Sequence, residues 1–278
     1  MSNVSDNVSN NPFPRIISDM KNKIISLDDY EYHSDHNMTL KLSDQVLLYN
    51  TGDQWKVVPL LLALSYPIIY DKHTIDDESY DVTIVVCPVT LRSVIFKGIF
   101  EFETYDKYTM ILKEKDTTNL LPIDSGFKID KKYVIESNKR SEVKIITLRS
   151  ALIFAPDVKY MIISKKSEIK ISPIIELSYY SNEKNLSGED LDGLIHPKTL
   201  VYIIQYKSYV EEDDKTSIVL GKDVNKSAPT GYDSRKSKIF IYLNKQNSKI
   251  MNREGYVIPM LWWVAKIDYP ISKVINVL

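Results

Sequence analysis

Residues Asp81 to Pro88 read DVTIVVCP, and this run restricts the fold more than any other stretch of the 278-residue chain. Val82 to Val86 are five β-branched residues in a row. Branching at Cβ stiffens χ1 and favours the pleated strand over the helix. The run does not alternate apolar with polar side chains, so it predicts a strand buried on both faces. Such a strand needs a neighbour on each side and a packed layer above and below.

Neighbours are easy to find. Ser93 to Phe96 is followed by Gly98, and Ile99 to Glu103 then alternates, which predicts the return strand of a hairpin. Tyr108 to Leu112, Lys132 to Glu136, Val143 to Leu148, Lys159 to Ile163, Glu168 to Ile171, Leu200 to Tyr206, Ser217 to Leu220, Lys238 to Leu243 and Val257 to Ala265 also read as strands. Turn signals such as Asp124-Ser125-Gly126, Asp192-Gly193 and Glu254-Gly255 separate them. Many strands at short spacing with few helical periods predict a mainly β or α+β fold, a large mixed or antiparallel sheet arrangement with few short helices. Residues 1–11 read as a disordered tail, and 12–278 as one β-rich globular domain, with a division into two halves near 181–198 as the alternative. No internal repeat is evident.

The longest apolar run, Val57 to Tyr70, holds Pro59 and Pro67 and covers 14 residues. A membrane-spanning helix needs about 20 apolar residues, so this run predicts a short core helix opened by Pro59. One cysteine cannot form an internal disulfide, and the N-terminus lacks a signal-peptide pattern. Together these predict a soluble chain in a reducing compartment, the cytoplasm, with no membrane partner. The 36 basic and 37 acidic side chains leave a net charge of −1, which argues against nucleic acid as the main partner. Abundant Ile, Lys, Asn and Tyr, whose codons are AT-rich, point to the genome of a large DNA virus, a protist or a low-GC bacterium.

Few residues carry recognisable chemistry. Cys87 ends the buried strand just before Pro88, where a thiol serves as a nucleophile or as a small core side chain. His33 and His36 stand at His-x-x-His spacing, with Asp35 between them, and are the candidate metal ligands. Glu211 to Asp214 is an acidic run that lacks the alternation of a calcium loop and predicts a solvated hairpin tip. Lys131-Lys132, Lys139-Arg140, Lys165-Lys166 and Arg235-Lys236, set among 19 tyrosines, are the candidate nucleic-acid contacts. There is no phosphate loop, dinucleotide fingerprint, nucleophile elbow or zinc-protease motif, so no cofactor is indicated.

The order of features from Val57 to Ile123 resembles the domain of unknown function 3179 family, bacterial and archaeal proteins with a Cys-Pro-Leu-Cys motif. Val58-Pro59-Leu60 stands where that family has Tyr-Pro-Leu, Val82 to Val86 where it has a valine-rich strand, and Cys87-Pro88-Val89-Thr90 where it has the motif. Ser93 to Phe96, Tyr108 to Leu112, and Trp262 to Val274 with Tyr269-Pro270 continue the order. Thr90 replaces the second cysteine, Tyr66-Pro67 the family's His-Glu pair, and Ala265 a terminal tryptophan. The resemblance implies a shared scaffold stripped of most of the polar motif positions.

Two function classes follow. The first is a non-enzymatic binding or structural protein, virion-associated if the chain is viral, acting through a protein partner or self-association. The second is a thiol- or metal-dependent enzyme centred on Cys87, with Asp71 or His73 nearby. A nucleic-acid-binding protein is a third reading.

Overall fold

The computed structural model describes residues 14–34, 40–50, 54–75, 78–123, 143–175, 178–181, 200–207, 214–221, 255–268 and 273–277. The fold is mainly β, with short helices between strands that fall into several mixed and antiparallel sheets.

The DVTIVVCP run lies in the central sheet, ordered β1 (Ile24–Ile25), β5 (Ile68–Ile75), β6 (Glu78–Val86), β7 (Ser93–Lys97). β1 runs parallel to β5, and the other pairs are antiparallel. Val82 to Val86 are fully buried, as burial on both faces demands. The expected hairpin between β7 and the following strand does not form. Gly98 adopts φ +106°, open to glycine but not to L side chains, and its N–H donates to the Asp81 carbonyl. The Thr83 hydroxyl donates to the Gly98 carbonyl and accepts from the Phe100 N–H, which fixes the corner. The chain therefore leaves the sheet. β8 (Phe100–Asp106) pairs instead with β9 (Thr109–Glu114), and β9 with β10 (Leu120–Pro122), in a separate antiparallel sheet.

A five-stranded sheet packs on the same core. Its order is β11 (Val143–Thr147), β3 (Gln45–Asn50), β4 (Trp55–Pro59), β12 (Lys159–Ile163), β2 (Tyr30–His33). Strand alternation sorts its side chains. Leu47, Tyr49, Val58, Val143, Ile145 and Met161 face the main core. Val46, Leu48, Val57, Ile146 and Tyr160 face a smaller core closed by α3 (Leu148–Phe154). α2 (Leu60–Ser65) starts directly after Pro59, and α1 (Pro14–Met20) seats Met20 in the main core.

The last sheet is ordered β15 (Gly255–Leu261), β13 (Leu200–Lys207), β14 (Asp214–Gly221), β16 (Lys273–Val277). It repeats the topology of the five-stranded sheet. In each, two parallel strands joined by a helix flank an antiparallel hairpin. β11 and β12, linked through α3, flank β3–β4, while β15 and β16, linked through α5 (Trp262–Asp268), flank β13–β14. In both units the first strand runs straight into its helix. The residues differ, TLRSALIF against LWWVAKID, so no sequence repeat accompanies the shared topology. The equivalent strands β11 and β15 lie against each other.

Two other expectations are corrected. Glu168 to Ile171 is not a strand, and the stretch Val257 to Ala265 changes from strand to helix at Trp262. Lys132 to Glu136, Lys238 to Leu243, the tail 1–11 and residues 182–198 of the expected boundary lie outside the described residues. Among the described residues, no helix is long and apolar enough to cross a membrane.

Candidate functional site

Cys87 sits at the end of β6 in a tight turn. Its N–H donates to the Arg92 carbonyl at 2.8 Å, and its carbonyl accepts from the Leu91 N–H at 2.8 Å. Closing this turn holds Leu91 at φ +57°, a left-handed conformation that costs a non-glycine residue about 1 kcal/mol. The thiol is buried, with Sγ 3.6 Å from the Tyr105 hydroxyl. Tyr105 also donates to the Met20 sulfur at 3.3 Å. From above, Tyr179 donates to the Val89 carbonyl at 3.0 Å and Tyr180 donates to the Pro88 carbonyl. Burial, and then the neighbouring thiol, hold the Tyr105 and Tyr179 phenols above their ordinary range.

Asp71 and His73 do not approach this thiol. The Val86 N–H donates to the Pro67 carbonyl, so Cys87 lies opposite Tyr66. Asp71 is five residues further along, roughly 17 Å at strand rise. His73 is buried near the far end of the β5–β6 hairpin and stacks on Tyr80 at 5.1 Å.

Asp71 instead anchors a buried polar cluster between the central sheet and the five-stranded sheet. Lys56, on β4, donates to Oδ1 at 3.0 Å and to Oδ2 at 2.8 Å. Tyr32 and Tyr49 donate to Oδ2 at 3.0 and 3.1 Å. The Lys72 N–H donates to Oδ1 at 2.8 Å, and the Tyr30 hydroxyl lies 3.2 Å from Oδ1 with a nearer acceptor in the Tyr70 carbonyl at 2.8 Å. Tyr32 and Tyr49 also share a hydrogen bond, and the Lys56 ammonium lies 4.3 Å from the Tyr32 ring centroid. Each phenol has one proton, and Tyr30 and the Tyr32–Tyr49 pair spend some of theirs elsewhere, so Lys56 and the Lys72 N–H at Oδ1, with Lys56 and a phenol at Oδ2, fill the roughly four lone-pair sites of the carboxylate. Burial first, and the Asp71 charge among the lesser causes, push the Tyr30, Tyr32 and Tyr49 phenols far above their usual range. The Asp71 carboxylate is thus engaged by the protein's own donors on both oxygens.

A third buried charge is Arg92, at the head of β7. Its guanidinium pairs with Asp268 at the end of α5, and Tyr108 donates to the other oxygen of Asp268 at 2.7 Å. Tyr108 also meets Trp263 edge-on at 5.1 Å. The Leu261 N–H donates to the Thr90 carbonyl at 2.8 Å. These contacts fasten the last sheet to the Cys87 turn.

The proposed metal pair is not assembled by what is described. His33 ends β2, exposed, with Nε2 3.3 Å from Glu31, and His36 lies outside the described residues. No group of three or more metal-binding side chains occurs among the described residues. Of the basic clusters, only Lys165-Lys166 is described, exposed at a turn. Sequence reasoning missed Tyr30, Tyr32, Tyr49, Lys56, Arg92 and Asp268. The available signal was a charge of each sign inside an apolar strand, Lys56 in WKVVP and Asp71 in IIYDKHTI. Comparison with protein-family models, curated proteins and solved structures finds no match.

Proposed function

We propose that this chain is a non-enzymatic binding or structural protein that acts through a protein partner or through self-association. The observation that carries the reading is the inward commitment of its polar chemistry. Asp71 is engaged by Lys56, the Lys72 N–H and neighbouring tyrosines, Arg92 is paired with Asp268, and Cys87 is buried beneath tyrosines. Catalytic groups need a free lone pair or proton and a path to substrate. Here those valences hold sheets together instead. The exposed side chains of Leu42, Leu61, Leu120, Ile153 and Ile171 supply apolar contact area on the outside. A scaffold shared with the domain of unknown function 3179 family, its polar motif positions replaced, is part of the same proposal, as is a place in a virion if the source is viral.

Sedimentation velocity and native mass spectrometry across a wide concentration range test it. The expected result is a discrete species heavier than one chain, alone or with a stoichiometric protein partner. A single chain at every concentration that also forms no protein complex overturns the reading.

A further inference from the structure

Residues 164–175 leave β12 without regular secondary structure and run across three parts of the molecule. Single hydrogen bonds pin them along the way. The Ser164 N–H donates to the Asp29 carbonyl at 2.8 Å, and the Ser167 hydroxyl to Asp29 Oδ1 at 2.9 Å. The Lys170 N–H donates to the Tyr66 hydroxyl at 3.2 Å, and the Ile174 N–H to the Leu64 carbonyl at 3.1 Å. The path leads to α4 (Ser178–Ser181), whose Tyr179 and Tyr180 bond the Val89 and Pro88 carbonyls beside Cys87. Packing is thin along the route. Ile169, Ile174, Ile175 and Tyr179 are only partly buried, Ile171 is 58% exposed, and Tyr180 is the one described side chain of this stretch that is fully buried.

We propose that residues 164–175 together with α4 form a strap that closes over the Cys87 turn and opens as a local unit, giving the Cys87 thiol intermittent access to solvent while the sheets stay folded. Opening breaks a handful of hydrogen bonds and uncovers Tyr180 and the buried parts of Ile169, Ile174, Ile175 and Tyr179, a small part of the main core. Global unfolding exposes the whole core, including the Val82–Val86 strand and the Asp71 cluster. Segments with few buried contacts open at lower free energy than the molecule as a whole. The strap also covers the chain's single thiol, so its opening has a chemical readout. The inference concerns access rather than activity and does not rest on the binding reading.

The test is alkylation of the full chain with N-ethylmaleimide. The thiolate adds across the maleimide double bond, forming one C–S bond with no leaving group, and intact mass counts the single adduct. Rates are measured across a urea series below the unfolding transition, beside circular dichroism. The expected result is labelling of the native chain with a urea dependence well below that of global unfolding. Tyr179→Phe and Tyr180→Phe, which delete only the anchoring hydroxyls, should each speed labelling roughly three- to tenfold. Tyr30→Phe, in the distant Asp71 cluster, should lower the global midpoint and leave native labelling within about twofold of the original. Labelling that tracks global unfolding in its urea dependence overturns the strap, and so do Tyr179→Phe and Tyr180→Phe chains that label at the original rate.

Discussion

At the scale of single residues, the Lys56–Asp71 pair is held by burial on both sides, and that decides what its loss costs. Lys56→Met leaves the Asp71 carboxylate in the core with only phenol and amide donors. Breaking a buried pair from one side typically costs about 3–5 kcal/mol, because the remaining charge is uncompensated. The three tyrosines offset part of this, so about 3 kcal/mol is expected from urea unfolding at unchanged m. Asp71→Leu leaves the Lys56 ammonium buried without its carboxylate, while Tyr30 keeps the Tyr70 carbonyl and Tyr32 and Tyr49 keep each other, and the loss should be at least as large. The double variant carries no buried charge at this cluster and should lose less than the two single losses combined, by about 2 kcal/mol. Strict additivity would mean the pair does not couple. Leu91 poses the opposite balance. Leu91→Gly relieves about 1 kcal/mol of left-handed strain, yet gives up a buried leucine worth about 2–3 kcal/mol. Burial should win, and the variant should be less stable by about 1 kcal/mol. A stabilised Leu91→Gly chain would show that strain dominates the Cys87 turn.

At the scale of elements, the strand-to-helix junctions explain why some segments were legible in sequence and others were not. β6 was legible because burial on both faces is written directly into five β-branched residues. α5 was not, because Trp262 to Ala265 is buried on every side and a short apolar run carries no period to separate helix from strand. The β7–β8 corner was misread because alternation in Ile99 to Glu103 is the same whichever strand is the partner, and only the Gly98 conformation sends it to β9. Lys56 and Asp71 were visible as charges but not as partners, since they lie on different sheets. α3 shows what a junction requires. Thr147 ends β11 and accepts from the Ser150 N–H, which satisfies one orphan donor of the first turn. Its hydroxyl also meets the Ser150 hydroxyl at 2.9 Å. Thr147→Ala should therefore cost about 1 kcal/mol, measured as a shift in thermal midpoint. An unchanged midpoint would mean that the strand alone sets where α3 begins.

At the scale of the molecule, the main core takes side chains from the central sheet and from both hairpin-and-crossover units, and buried phenols gather at two places around it. Tyr30, Tyr32 and Tyr49 gather at Asp71, while Tyr105, Tyr179 and Tyr180 gather at Cys87. Burial is the first cause holding each of the six above its ordinary value near 10. Half-buried Tyr70 is pushed up to about 12, by burial and then by Glu101. Below pH 10 both folded and unfolded chains keep these protons, so the stability they contribute is fully present. Above pH 10 the unfolded chain releases protons that the folded chain retains, and stability falls with every further rise until the folded values are reached. Each retained proton is worth ~1.4 kcal/mol per pH unit, so six together approach ~8 kcal/mol per unit. Against an ordinary stability of about 5–15 kcal/mol, the fold should give way within one to two units above pH 10. Circular dichroism and phenolate absorbance followed together are the measurement. Exposed tyrosines should ionise first on a folded chain, and the buried set should ionise in one step with loss of the β signal. Smooth ionisation of every tyrosine on a chain that keeps its β signal would show that the phenols are not locked in the core.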